Sequence, residues 1–268
     1  MIDNKFTVID SHCHIYPEKI AQPATESTGR FYDIPPLCDG RVDSLLSIGE
    51  KAGIDRFVVQ SVATTPHQVA SINKFIAKEV SLYQGKFIGL GTLHPDSTDL
   101  KGDVETIKEL GLHGVKLHPD IQQFKIDDYR CLKIYELCEE EKLPILMHTG
   151  DYRYDYSKPN RLMPILDIYT NLTVIGAHLG GWSIWEEASQ KLKGYKNFYV
   201  DTSSSLYELP REKATEIIRA YGIDKVLFGT DFPLFSPDIE LERFMALPLT
   251  DEERKKILSE NTLKLYGI

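Results

Sequence analysis

Eight short apolar runs rich in β-branched residues alternate with amphipathic stretches, and the alternation fills most of a 268-residue chain. The pattern predicts an α/β protein built from repeated βα units, and eight units over about 250 residues predict a closed (β/α)8 TIM barrel. A doubly wound sheet is the competing class. It usually has fewer strands and a glycine-rich first turn, and no G-x-G-x-x-G follows the first run here.

In chain order the strand candidates are FTVID from residue 6, RFVVQS from 56, FIGLGTL from 87, GVKLH from 114, PILMH from 144, LTVIGAH from 172, FYVDTS from 198 and KVLFGTD from 225. Most are too apolar to face water on either side, as expected of parallel strands covered by helices. Between them VDSLLSIGEKAG, HQVASINKFIAKEV, VETIKELG, YRCLKIYELCEEE and REKATEIIRAYG space apolar residues three and four apart, the helical period. Gly53, Gly111 and Gly222 close three of these helices, a stop that exploits glycine's tolerance of positive φ. Residues 15–38 hold Pro17, Pro23, Pro35, Pro36 and Gly29 with little periodicity, and they read as a long loop after the first strand. On the catalytic face of a barrel that loop would form a lid. After the eighth run, DIELERFMALP and TDEERKKILSENTLKLYG read as additional C-terminal helices. No linker or low-complexity tract interrupts the series, which predicts one domain over residues 1–268.

Composition narrows the function classes. Hydrophobic residues make up 42% and charged residues 26%, the balance of a soluble globular protein, with no run of eighteen apolar residues to span a bilayer. The net charge of −9, without a basic patch, argues against nucleic-acid binding. MIDNKFTVID shows no secretory pattern, and Cys13, Cys38, Cys131 and Cys138 form no C-x-x-C pair, so reduced thiols in a cytoplasm are expected. Cys131 and Cys138, seven apart in a helix, share one buried face. The expected partner is a small-molecule substrate; composition leaves a homo-oligomer open.

Catalytic side chains of a barrel sit at the C-terminal ends of its strands. Five of the eight histidines, His12, His14, His118, His148 and His178, fall there, together with Lys116 and Asp231; His94 follows the third run. Successive side chains of an extended segment alternate, so His12 and His14 face one way and Cys13 the other. Two neutral imidazoles projected into a barrel mouth suit a metal, although the pair alone could equally be satisfied by hydrogen bonds. Lys116 is costly to bury unpaired, so it pairs with a carboxylate, meets an anionic substrate, or is carboxylated as a bridging ligand. His118 is a second candidate for substrate contact and keeps a second metal open. Asp10 reads as support for a ligand histidine or as a strand-end cap, and His94 as a turn residue. In DYRYDYSKPNR, Arg153 and Arg161 could fork onto a substrate carboxylate, with a solvated loop as the equal alternative. Trp182 could wall the site or simply pack.

The stretches DSHCH, GVKLHP, PILMHTG, VIGAHLGG and VLFGTDFP, in this order, resemble the amidohydrolase superfamily. The closest resemblance is to the amidohydrolase-related branch that contains lactone hydrolases and aminocarboxymuconate-semialdehyde-type decarboxylases. It spans Val8 to Pro233. It implies that His12, His14, His148 and Asp231 bind a divalent metal, most often zinc, with manganese or iron as substitutes and one ion favoured over two. It also implies that His178 lies beside the metal-bound water and that Asp231 moves protons. Imidazole and carboxylate ligands suit these metals, and a nearby base can take a proton from an activated water. The expected function is a metal-dependent hydrolase of a small carboxylated lactone, ester or amide. A decarboxylase is the first alternative, and a non-catalytic metal-binding protein a distant one.

Overall fold

A computed structural model describes residues 6–268; the opening residues MIDNK, part of the segment read for a leader, lie outside it. All eight expected strand segments are present and parallel. They are β1 (Ile9–His14), β2 (Arg56–Gln60), β3 (Phe87–Gly89), β4 (Gly91–Thr92), β5 (Val115–Leu117), β6 (Ile145–Met147), β7 (Val174–Gly176), β8 (Phe198–Asp201) and β9 (Val226–Leu227). The third expected strand is divided at Leu90 into β3 and β4, so the ladder reads β1-β2-β3 and then β4 through β9. Leu90 still donates its N–H to the Val59 carbonyl at 2.9 Å, which holds the two parts in line.

Backbone bonds also join the ends of the ladder. Ser11 N–H bonds the Phe228 carbonyl at 2.8 Å, Asp231 N–H the His12 carbonyl at 2.9 Å, and His14 N–H the Phe232 carbonyl at 2.6 Å.

Side-chain alternation then sorts the core into two layers. Ile9, Val58, Ile88, Leu146, Ile175 and Leu227 form an inner cluster, while Phe57, Val59, Val115, Ile145 and Val174 belong to the larger cluster beneath the helices. Each such side chain contributes about 1.5–3 kcal/mol by leaving water, which is what holds strands of two to six residues in place. The expected helices form, and those ending at Gly53, Gly111 and Gly222 do so with those glycines at φ of 82°, 68° and 95°. The C-terminal helices form as well, and Tyr266 reaches the inner cluster. Among the described residues no helix is long and apolar enough to cross a membrane.

The expected loop at 15–38 is a correction: its centre is a fifteen-residue helix, α1 (Glu18–Tyr32). Its buried face is Ala21, Thr25, Gly29 and Tyr32, which is helically spaced but nearly devoid of large apolar residues, so hydrophobic periodicity cannot reveal it. Pro17 precedes the first turn, where proline is tolerated, and Pro23 sits further in, in the second turn of the helix. Gly29 is required by close approach, because a Cβ there would stand 2.6 Å from the Pro36 ring.

Helix and strand also meet closely at Gly49, where an added Cβ would lie 2.2 Å from the buried Phe57 ring. Gly49→Ala should therefore cost about 1–3 kcal/mol in denaturant unfolding despite alanine's better helix propensity. An unchanged midpoint would show that the Phe57 ring can move aside.

Candidate metal centre

Side-chain parity on β1 selects what faces the barrel mouth. A register shift between Asp10 and Cys13 leaves Cys13 in the outer core while His12 and His14 point inward. Lys116 extends from β5, His118 and His148 follow β5 and β6, and His178 and Asp231 follow β7 and β9. His178 and Asp231 adopt left-handed backbone conformations, at φ of 61° and 65°. These cost about 1–2 kcal/mol each but are tolerated better by Asp and His than by most residues.

The metal-capable atoms of His12, His14 and Asp231 lie within 4.8 Å of one another. His12 Nε2 is 3.2 Å from His14 Nε2, and Asp231 Oδ1 is 3.4 Å from the first and 3.6 Å from the second. His12 Nδ1 donates to Asp201 Oδ2 at 2.8 Å, so Nε2 carries the lone pair. Burial, with Lys116 alongside, holds both imidazoles well below their usual pKa and therefore neutral. Two convergent imidazole nitrogens and a carboxylate oxygen are donors that fit a divalent cation. Ser204 Oγ, 2.5 Å from Asp231 Oδ2, donates to it and fixes the carboxylate's other oxygen. Burial pushes the Asp231 carboxyl up to about 7 against the lowering effect of Ser204 and Lys116.

Lys116 is 1% exposed and places Nζ 3.1 Å from His12 Nε2. Burial brings its pKa down to about 8, while Asp231 and Asp201 act in the opposite direction. His178 stacks on His12 with ring centroids 5.3 Å apart. Its Nδ1 faces the Ser203 carbonyl at 3.1 Å and must carry the proton, which leaves Nε2 as the acceptor. Burial keeps its pKa down at about 3.

His148 lies one ring further out. Its Nδ1 is 3.0 Å from His178 Nε2, and its Nε2 is 3.5 Å from Asp120 Oδ2. It groups with His118 and Asp120 rather than with His12, His14 and Asp231. His118 and His148 stack in parallel, centroids 4.1 Å apart, and Tyr32 at the end of α1 places its hydroxyl 2.6 Å from His118 Nε2.

A cavity of about 490 Å³ opens over this cluster. His12, His14, Lys116, His118, His178 and Asp231 line it; Arg153 and His148 do not.

A model of the family described as Amidohydrolase matches residues 9–268. The chain belongs to the amidohydrolase family. An uncharacterized TIM-barrel protein from Bordetella bronchiseptica superposes with a TM-score of 0.81 at 22% identity, covering 98% of this chain and 100% of that one. A 5-carboxyvanillate decarboxylase from Sphingomonas paucimobilis gives 0.74 at 15% identity over 98% and 99% of the two chains. A dihydroxybenzoic acid decarboxylase from a Polaromonas species, solved with manganese and 2-nitroresorcinol, gives 0.73 at 17% identity over 98% and 97%. At these identities the likeness is one of fold, and it supports the barrel.

Within this amidohydrolase, Arg153 corrects an expectation. It does not reach the cavity but grips both Asp151 oxygens and donates to the Phe31 carbonyl at 2.7 Å. Its guanidinium also lies over the Phe31, Tyr32, Tyr154 and Trp182 rings at 5.1–5.4 Å. It ties the loop after β6 to the end of α1. Arg161 is likewise engaged, with Asp127 and Asp155.

Asp10 accepts from the Thr230 N–H at 3.0 Å and the Thr230 hydroxyl at 2.5 Å, bracing β1 against the turn that carries Asp231. His94 accepts from the Asp96 N–H, as a turn residue does.

Sequence reasoning missed Asp201, Ser203, Ser204, Tyr32 and Asp120. Asp201 ends β8 and the serines follow it in the run DTSSS, and the strand-end rule that singled out the histidines covers them equally. Ser203 Oγ bonds Asp201 and approaches His178 Nδ1 at 2.9 Å, so Asp201 supports two imidazoles at once.

Replacing that carboxylate tests the support. Asp201→Asn should retain its fold by circular dichroism and bind divalent metal about 10–100-fold more weakly in a titration of chelator-stripped protein. Unchanged affinity would show that the Asp201 carboxylate does not set the His12 tautomer.

Proposed function

We propose that this amidohydrolase is a metal-dependent lyase that removes carbon dioxide from a small aromatic or unsaturated carboxylic acid. The carrying observation is the contrast between a floor of neutral imidazoles, one lysine and one aspartate and a cavity whose walls carry no formal charge and are mostly apolar in area, with Ser27, Thr28, Ser61, Thr64, Gln68 and Ser71 among them. A carboxylate brought into such surroundings loses hydration, which favours its departure as neutral carbon dioxide. The manganese-bound decarboxylase among the structural neighbours supports the same reading.

His12, His14 and Asp231 would hold the metal, joined by His148 as the resemblance implies. When bound, the ion supplies positive charge that orients the acid and stabilises negative charge developing on it. Zinc and manganese both suit these ligands. Lys116 faces the same anion from β5, and His118 contacts it from the strand end. Asp231, at the end of β9 beside the acid group, would pass a proton to the carbon that loses its carboxyl group. His178, kept neutral by burial and lining the floor beside His148, would contact the substrate's ring or chain substituents.

Hydrolysis of a lactone, ester or amide is the second reading. It is favoured by the neutral His178 on the cavity floor, the residue that the resemblance sets beside an attacking water.

Carbon dioxide release from a panel of aromatic and muconate-like acids, without solvent ¹⁸O entering the product, is the expected result. Acid release with ¹⁸O incorporation from carboxylated lactones would replace it with hydrolysis. His148→Ala should purify with little metal by elemental analysis, and full occupancy would remove His148 from the ligand set. His178→Asn should keep the metal but lose about 100-fold or more in turnover; unaltered turnover would reject its role.

A further inference from the structure

The cavity does not end at the metal-centre residues. It continues outward between α1 and the Val69–Leu82 helix, where Ile20, Ala24 and Phe31 of α1 face Ile72 and Phe75 across it. Among its lining residues Lys116 and Asp231 are the formal charges, and both lie on the floor. Toward the rim the lining becomes exposed, with Ile20 50% accessible, so the outer lobe opens to solvent.

At about 490 Å³ the whole space matches sites that enclose drug-sized ligands, and among the described residues its outer lining has no cation or metal-capable group to hold a second anion. Ser27 and Gln68 add polar atoms to the lining, while the hydroxyls of Thr28, Thr64 and Ser71 already donate within the protein, to the Ala24 carbonyl, Gln68 Oε1 and the Gln68 carbonyl.

We infer that the substrate carries an apolar substituent, an alkyl chain or a second ring, which lies in this outer lobe while its carboxylate meets the floor. The inference rests on the proposed reading of the floor as the site of the acid group. It adds that selectivity comes from burial of an apolar body between α1 and the Val69–Leu82 helix. A substituent seated there leaves water one methylene at a time, and each buried methylene tightens binding about threefold to fourfold. A solvated substituent would add almost nothing.

The test uses para-n-alkylbenzoates, from the unsubstituted acid to hexyl, titrated calorimetrically into the full-length metal-loaded protein. Affinity should rise about threefold to fourfold per methylene until the lobe is filled. Ala24→Phe, which places a ring across the lobe, should flatten the series. Ile72→Ala, on the opposite wall, should reduce its slope, and thermal unfolding of both variants checks that they are folded.

A flat series in the wild-type protein, with benzoate still bound, overturns this inference and leaves the reading of the floor standing. A slope that survives Ala24→Phe overturns it too, since the chain would then bind elsewhere. If no acid of the series binds at all, both readings fall.

Discussion

Everything at the mouth depends on the seam where the first strand meets the last. The bonds from Ser11, His14 and Asp231 to Phe228, Phe232 and His12 are ordinary backbone hydrogen bonds, each contributing about 1 kcal/mol net. Their importance is geometric. They bring together residues more than two hundred positions apart and set β1 in one register against the turn after β9. A slip of one residue would turn His12 and His14 outward and bring Cys13 in. Asp10 reinforces the seam through Thr230, and Ser204 braces Asp231 from the segment after β8. The site is a consequence of closure.

Closure also concentrates charge-capable groups where water is scarce. Five imidazoles, an ammonium and several carboxylates share a space in which isolated ions are costly, and the imidazoles, Lys116 and Asp231 are moved towards their neutral forms. The histidines are held neutral, Asp231 is raised to about 7 and Lys116 lowered to about 8, in each case with burial as the largest cause. Neutral imidazoles are what metal ligation needs. Asp201 contributes without facing the cavity. By accepting from His12 Nδ1 and, through Ser203, organising His178, it settles which nitrogen of each ring carries a lone pair.

Much of this can be read from the chain because it follows from period. Strand residues alternate, barrel strands end at the functional face, and a histidine or aspartate closing an apolar run therefore lands at the mouth. His12, His14, Lys116, His178 and Asp231 all obey that rule, and so does Asp201, which the emphasis on histidine obscured. What could not be read was whatever lacks a period of apolar residues. α1 packs with Ala21, Thr25 and Gly29, so its internal Pro23, the Pro17 before it and its polar face resemble a loop. Arg153 was misplaced for a different reason: its pairing with Asp151 and with the Phe31 carbonyl depends on where α1 ends, which no local pattern announces. The position of His148 between His178 and Asp120 likewise depends on side-chain stacking across three strand ends.

The division between what the period reveals and what it hides matches a division of labour in the molecule. The floor is made of strand ends, whose positions the barrel dictates, and it carries the groups able to bind a metal and move a proton. One wall is made by α1, an insertion that the barrel does not require, held against the mouth by Arg153 on the Phe31 carbonyl and by Tyr32 on His118. Changing α1 would reshape the apolar walls while leaving the strand ends in register. Changing a strand end would disturb the metal-capable set whatever α1 does. Chemistry and selectivity therefore reside in separable parts of the sequence, joined at Tyr32, which ends the helix that forms the wall while its hydroxyl touches the floor.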